Sequence, residues 1–222
     1  MWVFLVFAGA PFLVGLFPVT AAIPTISAIH SKFFDSNGNQ FFIKGVIYQP
    51  GGSASLTDPL INTAQCALDA ALMSDLGVNT ISVYYAGSGD DHTGCMSAFE
   101  DAGIYVMVGL ASPLTGINRT SPAWTTSQLS SFSAVMDNFA SFDNTLGFFV
   151  GNEVVNDMTV SDVAPYVKAA ALDLKSYRDS KGYRQIPVGY SGAAYRKWIY
   201  IIPRSNTIPL YFEAIIDTKK FF

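Results

Sequence analysis

A single carboxylate, Glu153, follows the apolar run Leu146-Gly147-Phe148-Phe149-Val150-Gly151 and the amide Asn152. The run reads as a strand over Leu146 to Val150, so Glu153 stands at a strand's C-terminal end with Asn152 available to bond a polar ligand. Cleavage of a glycosidic bond with retention uses two carboxyl groups about 5 to 5.5 Å apart, one protonating the leaving oxygen and one attacking the anomeric carbon. Glu153 suits the first role; a solvated loop carboxylate is the alternative. Tyr48-Gln49 and Tyr84-Tyr85 end two earlier apolar runs, and aromatic faces beside an amide suit sugar rings. Alternatively, the tyrosines close the top of a barrel with their hydroxyls in water. Asp90-Asp91-His92 reads as a solvated loop, and Asp58, ahead of Pro59, as a helix cap.

The elements that must position these residues repeat along the chain. Thr25 to Ile29 and Phe41 to Ile43 flank Asp35-Ser36-Asn37-Gly38-Asn39, a hairpin turn signal. The run from Phe41 to Pro50 is stopped by Gly51-Gly52, and a helix is expected from Asp58-Pro59 to about Asp75, ending at Gly77. Then come a strand over Thr80 to Tyr85, a helix from about Thr93 to Asp101 and a strand over Ile104 to Leu110. A helix over Thr126 to Phe142, the strand before Glu153, a helix from about Ser161 to Ser180 and a strand over Ile186 to Gly189 complete the pattern. Strands alternating with amphipathic helices predict βαβ units and a parallel sheet. No Gly-x-Gly-x-x-Gly leads from a strand into a helix, so a dinucleotide crevice is unsupported, and long polar loops after the strands favour a barrel over an open sheet.

Half of the 222 residues are apolar and only 14% are charged, which describes a chain with material for a core. The net charge of -4 and the lack of Lys/Arg runs argue against a nucleic-acid partner. Met1 to Ala22 is apolar, uncharged and ends in small residues, as a secretory leader does; with no basic n-region, an uncleaved anchor helix is the alternative. Cys66 and Cys95 are the whole thiol inventory, an even count that favours one disulfide in a secreted chain. Beyond His92, His30 is the only histidine, so no metal site is expected, and no cofactor. Asn118-Arg119-Thr120 is a glycosylation sequon.

Taken in order, IKGVIYQPGG with DPL after it, Cys66 to Leu76, LGVNTISVYY, DHTGCMSAFEDAGIYV, SPAW, LGFFVGNEV and RQIPVGYS resemble the catalytic domain of the fungal β-1,3-glucanosyltransferases of glycoside hydrolase family 72. The resemblance runs from Phe33 to about Arg196. It implies a (β/α)8 TIM-type barrel and a retaining mechanism in which a cleaved β-1,3-glucan donor is joined to an acceptor glucan during cell-wall assembly. Glu153 matches the family's acid/base and Asn152 its neighbour. Tyr48, Gln49 and Tyr84 fall on sugar-subsite positions, and Cys66 with Cys95 match a barrel disulfide.

Two positions depart from the family pattern: Ser82 stands where an Arg is usual, and Gly109 where an Asp is usual. The family's nucleophile, a Glu late in the barrel, lies beyond the matching segments, and Glu213 arrives too few strands later to be assigned that role. A full barrel takes about 250 residues, and here about the first five βα units are legible, preceded by the hairpin. The expected organisation is therefore a leader over 1–22, a partial catalytic barrel over 23–196 and a divergent tail over 197–222, belonging to a longer functional product. Family members are often held at the membrane by a lipid anchor; Asp217-Thr218-Lys219-Lys220-Phe221-Phe222 does not read as an anchor signal, so an anchor would belong to that longer product. An inactive glucan-binding wall protein and a retaining β-1,3-glucan hydrolase are the alternatives to a transferase.

Overall fold

The computed structural model describes residues 22–52 and 57–192. All but the last residue of the expected leader, the tail over 197–222 and Glu213 lie outside the described residues.

Three short antiparallel strands come first: β1 (Ile26–Ile29), β2 (Lys32–Asp35) and β3 (Gln40–Phe41), paired in the order β1-β2-β3. The Asn37-Gly38 turn therefore joins β2 to β3, not the two flanking segments expected from sequence. Its hinge is Asp35, whose carboxylate accepts from the backbone N–H groups of Asn37 and Asn39 at 2.9 and 2.8 Å, while Gly38 takes φ 86°. The intervening strand escaped the sequence because Lys-Phe-Phe-Asp carries no clean alternation and spans only four residues. This sheet seals one end of the larger one: Ile26 is buried with Tyr105, Met107, Leu146 and Phe149, and the Tyr105 hydroxyl donates to the Pro24 carbonyl at 2.6 Å.

The larger sheet is wholly parallel: β4 (Gly45–Ile47), β5 (Thr80–Val83), β6 (Tyr105–Gly109), β7 (Thr145–Asn152) and β8 (Val188–Ser191). Its strands lie side by side in chain order, β4-β5-β6-β7-β8. A doubly wound sheet reverses its strand order at a switch point; none occurs among the described strands, and the arrangement is that of successive staves of a (β/α) barrel. Alternation sorts each strand's side chains to two faces. Ile81, Val83, Val106, Val108, Phe148, Val150 and Val188 belong to the main core shared with the helices, whereas Ser82, Tyr84, Gly109, Phe149 and Gly151 line the cleft on the other face.

The helices are α1 (Thr63–Asp75), α2 (Thr93–Asp101), α3 (Thr126–Phe139) and α4 (Ala164–Ser180). α1 begins four residues later than Asp58 suggested, because Asn62 is its N-cap, with the side chain accepting from Gln65 N at 3.2 Å. α3 starts at a capping box formed by Thr125 and Gln128. The last helix is entered through a 3-10 turn over Met158–Val163, with Pro165 in its first turn, where a missing N–H costs nothing. β8 begins after Pro187, which has no N–H to give the ladder, so it lies two residues beyond the expected start. Cys66 and Cys95 form a disulfide tying α1 to α2, with their Cα atoms 5.2 Å apart.

Candidate active site

At the C-terminal ends of the strands lies a cleft of about 250 Å³ whose lining includes Gln49, Ser82, Tyr84, Tyr85, Gly109 and Asn152. Strand geometry brings these residues, from four different staves, to one mouth. The Oε1 atom of Gln49 is buried without a hydrogen-bond partner among the described residues, while its amide nitrogen reaches the Thr57 carbonyl at 3.5 Å. A buried acceptor on the wall of a cleft is suited to a ligand hydroxyl. Gly109 belongs there for steric reasons: a Cβ at this position would lie 2.2 Å from the Tyr84 carbonyl oxygen, so β5 and β6 approach too closely for any side chain.

Glu153 follows directly on β7, and its side chain is exposed. Its backbone has φ 49°, one of two described non-glycine residues with positive φ. The turn is fixed from two sides. Glu153 N donates to Ser191 O at 2.8 Å, and Val155 N donates to the Tyr190 hydroxyl at 2.8 Å. From the loop after β6, Arg119 donates through Nη2 to Glu153 O at 2.7 Å and through Nε to Val154 O at 3.0 Å. Burial, and then the charge of Glu153, push the Tyr84 hydroxyl above its ordinary pKa of 10, which sets this carboxylate within electrostatic reach of the cleft wall. Burial likewise raises Tyr190 to about 12. Among the described residues lining the cleft, none is a carboxylate.

Tyr48 faces elsewhere. It is buried under α1, its hydroxyl donating to Asp69 Oδ2 at 2.8 Å and its ring packing edge-on against Phe99, so the Tyr48-Gln49 pair divides between helix layer and cleft. Asn118 is exposed, and its Oδ1 accepts from the backbone and hydroxyl of Thr120, both at 2.8 Å.

Two sequence expectations are corrected at the loops beneath the cleft. Asp58 is no helix cap, and His92 is not solvated: they are buried and paired, Nε2 to Oδ2 at 2.8 Å. Asp58 also accepts from the backbone N–H groups of Leu60, at 2.8 Å, and of Gly87. The other ring nitrogen of His92 faces Asn138 Oδ1 at 2.7 Å. Asn138 turns its Nδ2 toward the carbonyls of Ser88 and Asp90, at 3.3 and 3.1 Å, which dictates its orientation and leaves only its oxygen for the imidazole. Both ring nitrogens of His92 therefore face acceptors, an arrangement that favours the protonated ring. Burial alone would lower its pKa, but the hydrogen bonds to Asp58 and Asn138, with the charges of Asp58 and Asp90, outweigh burial and raise it. The pair ties together the loops after β4 and β5 and the helices α2 and α3. The pairing had no legible signal, since the partners stand 34 residues apart, His92 sits in a polar stretch that resembles surface and Asp58 before Pro59 has the form of a helix start.

Comparison with known proteins places this geometry. Residues 17–201 match the family model described as glucanosyltransferase, Glyco_hydro_72. The chain is 43% identical over 176 residues to the 1,3-beta-glucanosyltransferase GAS5 of Saccharomyces cerevisiae, covering 78% of this chain and 36% of that protein. It is 48% identical over 168 residues to the 1,3-beta-glucanosyltransferase gas2 of Schizosaccharomyces pombe, covering 73% of this chain and 36% of that one. Among solved structures, Saccharomyces cerevisiae Gas2p in complex with laminaritriose and laminaritetraose superposes with a TM-score of 0.72 at 42% identity, covering 77% of this chain and 39% of that chain. The chain spans little more than a third of the length of these relatives.

Proposed function

The chain belongs to the glucanosyltransferase family, glycoside hydrolase family 72, and on that footing we propose that it carries the proton-donor side of a β-1,3-glucanosyltransferase site. In this reading Glu153 protonates the oxygen of the glucan bond being cleaved. It then takes the proton from the acceptor hydroxyl that resolves the glycosyl intermediate. Asn152, Gln49 and Tyr84 bind hydroxyls and ring faces of the donor and acceptor glucans along the cleft, and no cofactor takes part. What carries the reading is the setting of Glu153: an exposed carboxylate presented by an anchored turn at a strand end, beside a cleft whose buried Gln49 oxygen has no partner among the described residues. Tyr48, bonded to Asp69, serves the scaffold under Gln49.

The partner carboxyl is not among the residues lining the cleft, and Glu213 falls outside the described residues. A second reading, a wall protein that binds glucan without turnover, is favoured by Ser82 and Gly109, which stand where the family usually carries Arg and Asp. The organisation proposed is a leader over 1–22, a catalytic segment over 23–196 and a divergent tail over 197–222. With the sequon at Asn118 glycosylated, the protein is placed outside the cell, at the surface or wall, and on the membrane's outer face where a lipid anchor holds a longer product.

Incubating the purified chain and its Glu153→Gln variant with a reduced laminari-oligosaccharide separates these readings. Transfer yields products longer than the donor from the wild type and none from the variant; shorter products alone identify a hydrolase. Glucan binding by both proteins with turnover by neither establishes the wall-protein reading.

A further inference from the structure

We propose that Arg119 is a positioning residue for Glu153, holding the carboxylate at the cleft through the main chain. This rests on the reading of Glu153 as the proton donor. A left-handed backbone at a non-glycine residue costs on the order of 1–3 kcal/mol and persists only where its surroundings impose it. Glu153 has that backbone, and one side chain meets the turn on two successive carbonyls: Arg119 Nη2 on Glu153 O and Nε on Val154 O. The planar guanidinium suits this task because its donors are fixed in a fork, whereas a lysine ammonium is a single point and spans the two oxygens poorly. Among the described residues the hydrogen bonds of Arg119 go to main-chain oxygens, so the guanidinium fixes where the Glu153 Cα and Cβ sit without tying up the carboxylate. β8 holds the same turn from the other side through Ser191 and Tyr190, on N–H groups, those of Glu153 and Val155, rather than on carbonyls. Without Arg119 the carbonyl side of the turn is unrestrained and the peptide after Glu153 is free to rotate toward ordinary φ, carrying the side chain away from the cleft.

The test compares Arg119→Ala and Arg119→Lys with wild type, using turnover of a reduced laminari-oligosaccharide and hydrogen exchange at the backbone amides of Glu153 and Val155. Residue 119 is exposed, and the lysine variant keeps the charge and the sequon. Displacement of a catalytic group by about 1 Å costs up to roughly 100-fold, so Arg119→Ala lowers kcat by about 10- to 100-fold with little change in KM, and Arg119→Lys recovers little. Exchange accelerates at the two amides and not in β6 or β7. Unchanged kcat, or full activity with lysine, in a protein that Glu153→Gln inactivates overturns the proposal while leaving the role of Glu153 intact. Loss of the Glu153 reading instead appears as a Glu153→Gln variant as active as wild type. Should neither protein turn over, the exchange rates decide, since unchanged exchange in Arg119→Ala overturns the clamp.

Discussion

Glu153 combines a main chain bonded on every side with a side chain left in solvent, and the residues around it divide by whether their partners can be read from a sequence. Its own place was legible, because the apolar run from Leu146 to Gly151, followed by Asn152, fixes where the strand stops. Arg119 was not: its partners are carbonyl oxygens, which every residue has, and the surrounding triplet drew attention as a sequon. Gly109 was legible only as a departure from a family pattern, while the structure supplies its cause in the Tyr84 carbonyl 2.2 Å from a built Cβ. Gly109→Ala must push β6 from β5 at the cleft mouth. Overpacking of this kind costs about 1–3 kcal/mol, so the variant is expected to unfold at lower denaturant concentration and to bind laminari-oligosaccharide more weakly, as titration calorimetry would register. Wild-type stability in Gly109→Ala would show that the strands separate without cost.

At the scale of elements, helices and long strands were readable from periodicity and caps, and errors fell where a local signal had two uses. Asp58-Pro59 has the form of a helix start, yet Asn62 supplies the cap and Asp58 turns inward to His92. A buried charge is stabilising only when paired, and here the pair secures two loops and two helices at once. Its proton sets a pH dependence. The folded pKa of His92 is raised above the ordinary 6.5. Folding therefore takes up a proton, and the contribution is fully present below about pH 6.5 and is lost as pH rises through the folded value. Thermal unfolding should show a midpoint that declines with pH above that point, and His92→Gln should flatten this part of the profile at a lower overall midpoint. In imidazole ¹⁵N spectra, His92 should keep both N–H signals at pH values above 6.5. Loss of one of the His92 N–H signals below that pH would contradict the protonated ring.

Across the whole molecule, the five parallel strands in chain order make one arc, with the helices on its outer face and the antiparallel sheet closing one end. Sequence periodicity predicted the repeat but left barrel and open sheet both formally possible; strand order, a property of the assembled sheet, distinguishes them. The same arc gathers Gln49, Tyr84 and Asn152 from separate staves beside Glu153, which no local window of sequence could show. The central claim is that this assembly uses Glu153 to protonate a leaving glucan oxygen. A dinitrophenolate leaving group needs no such proton, so comparing Glu153→Ala with wild type on a dinitrophenyl β-laminari-oligosaccharide and on the plain oligosaccharide isolates that step. Turnover of the plain substrate should fall by about 10²- to 10⁴-fold, while first-turnover release of dinitrophenolate stays near wild type. Equal loss on both substrates, or loss on neither, would contradict the role assigned to Glu153.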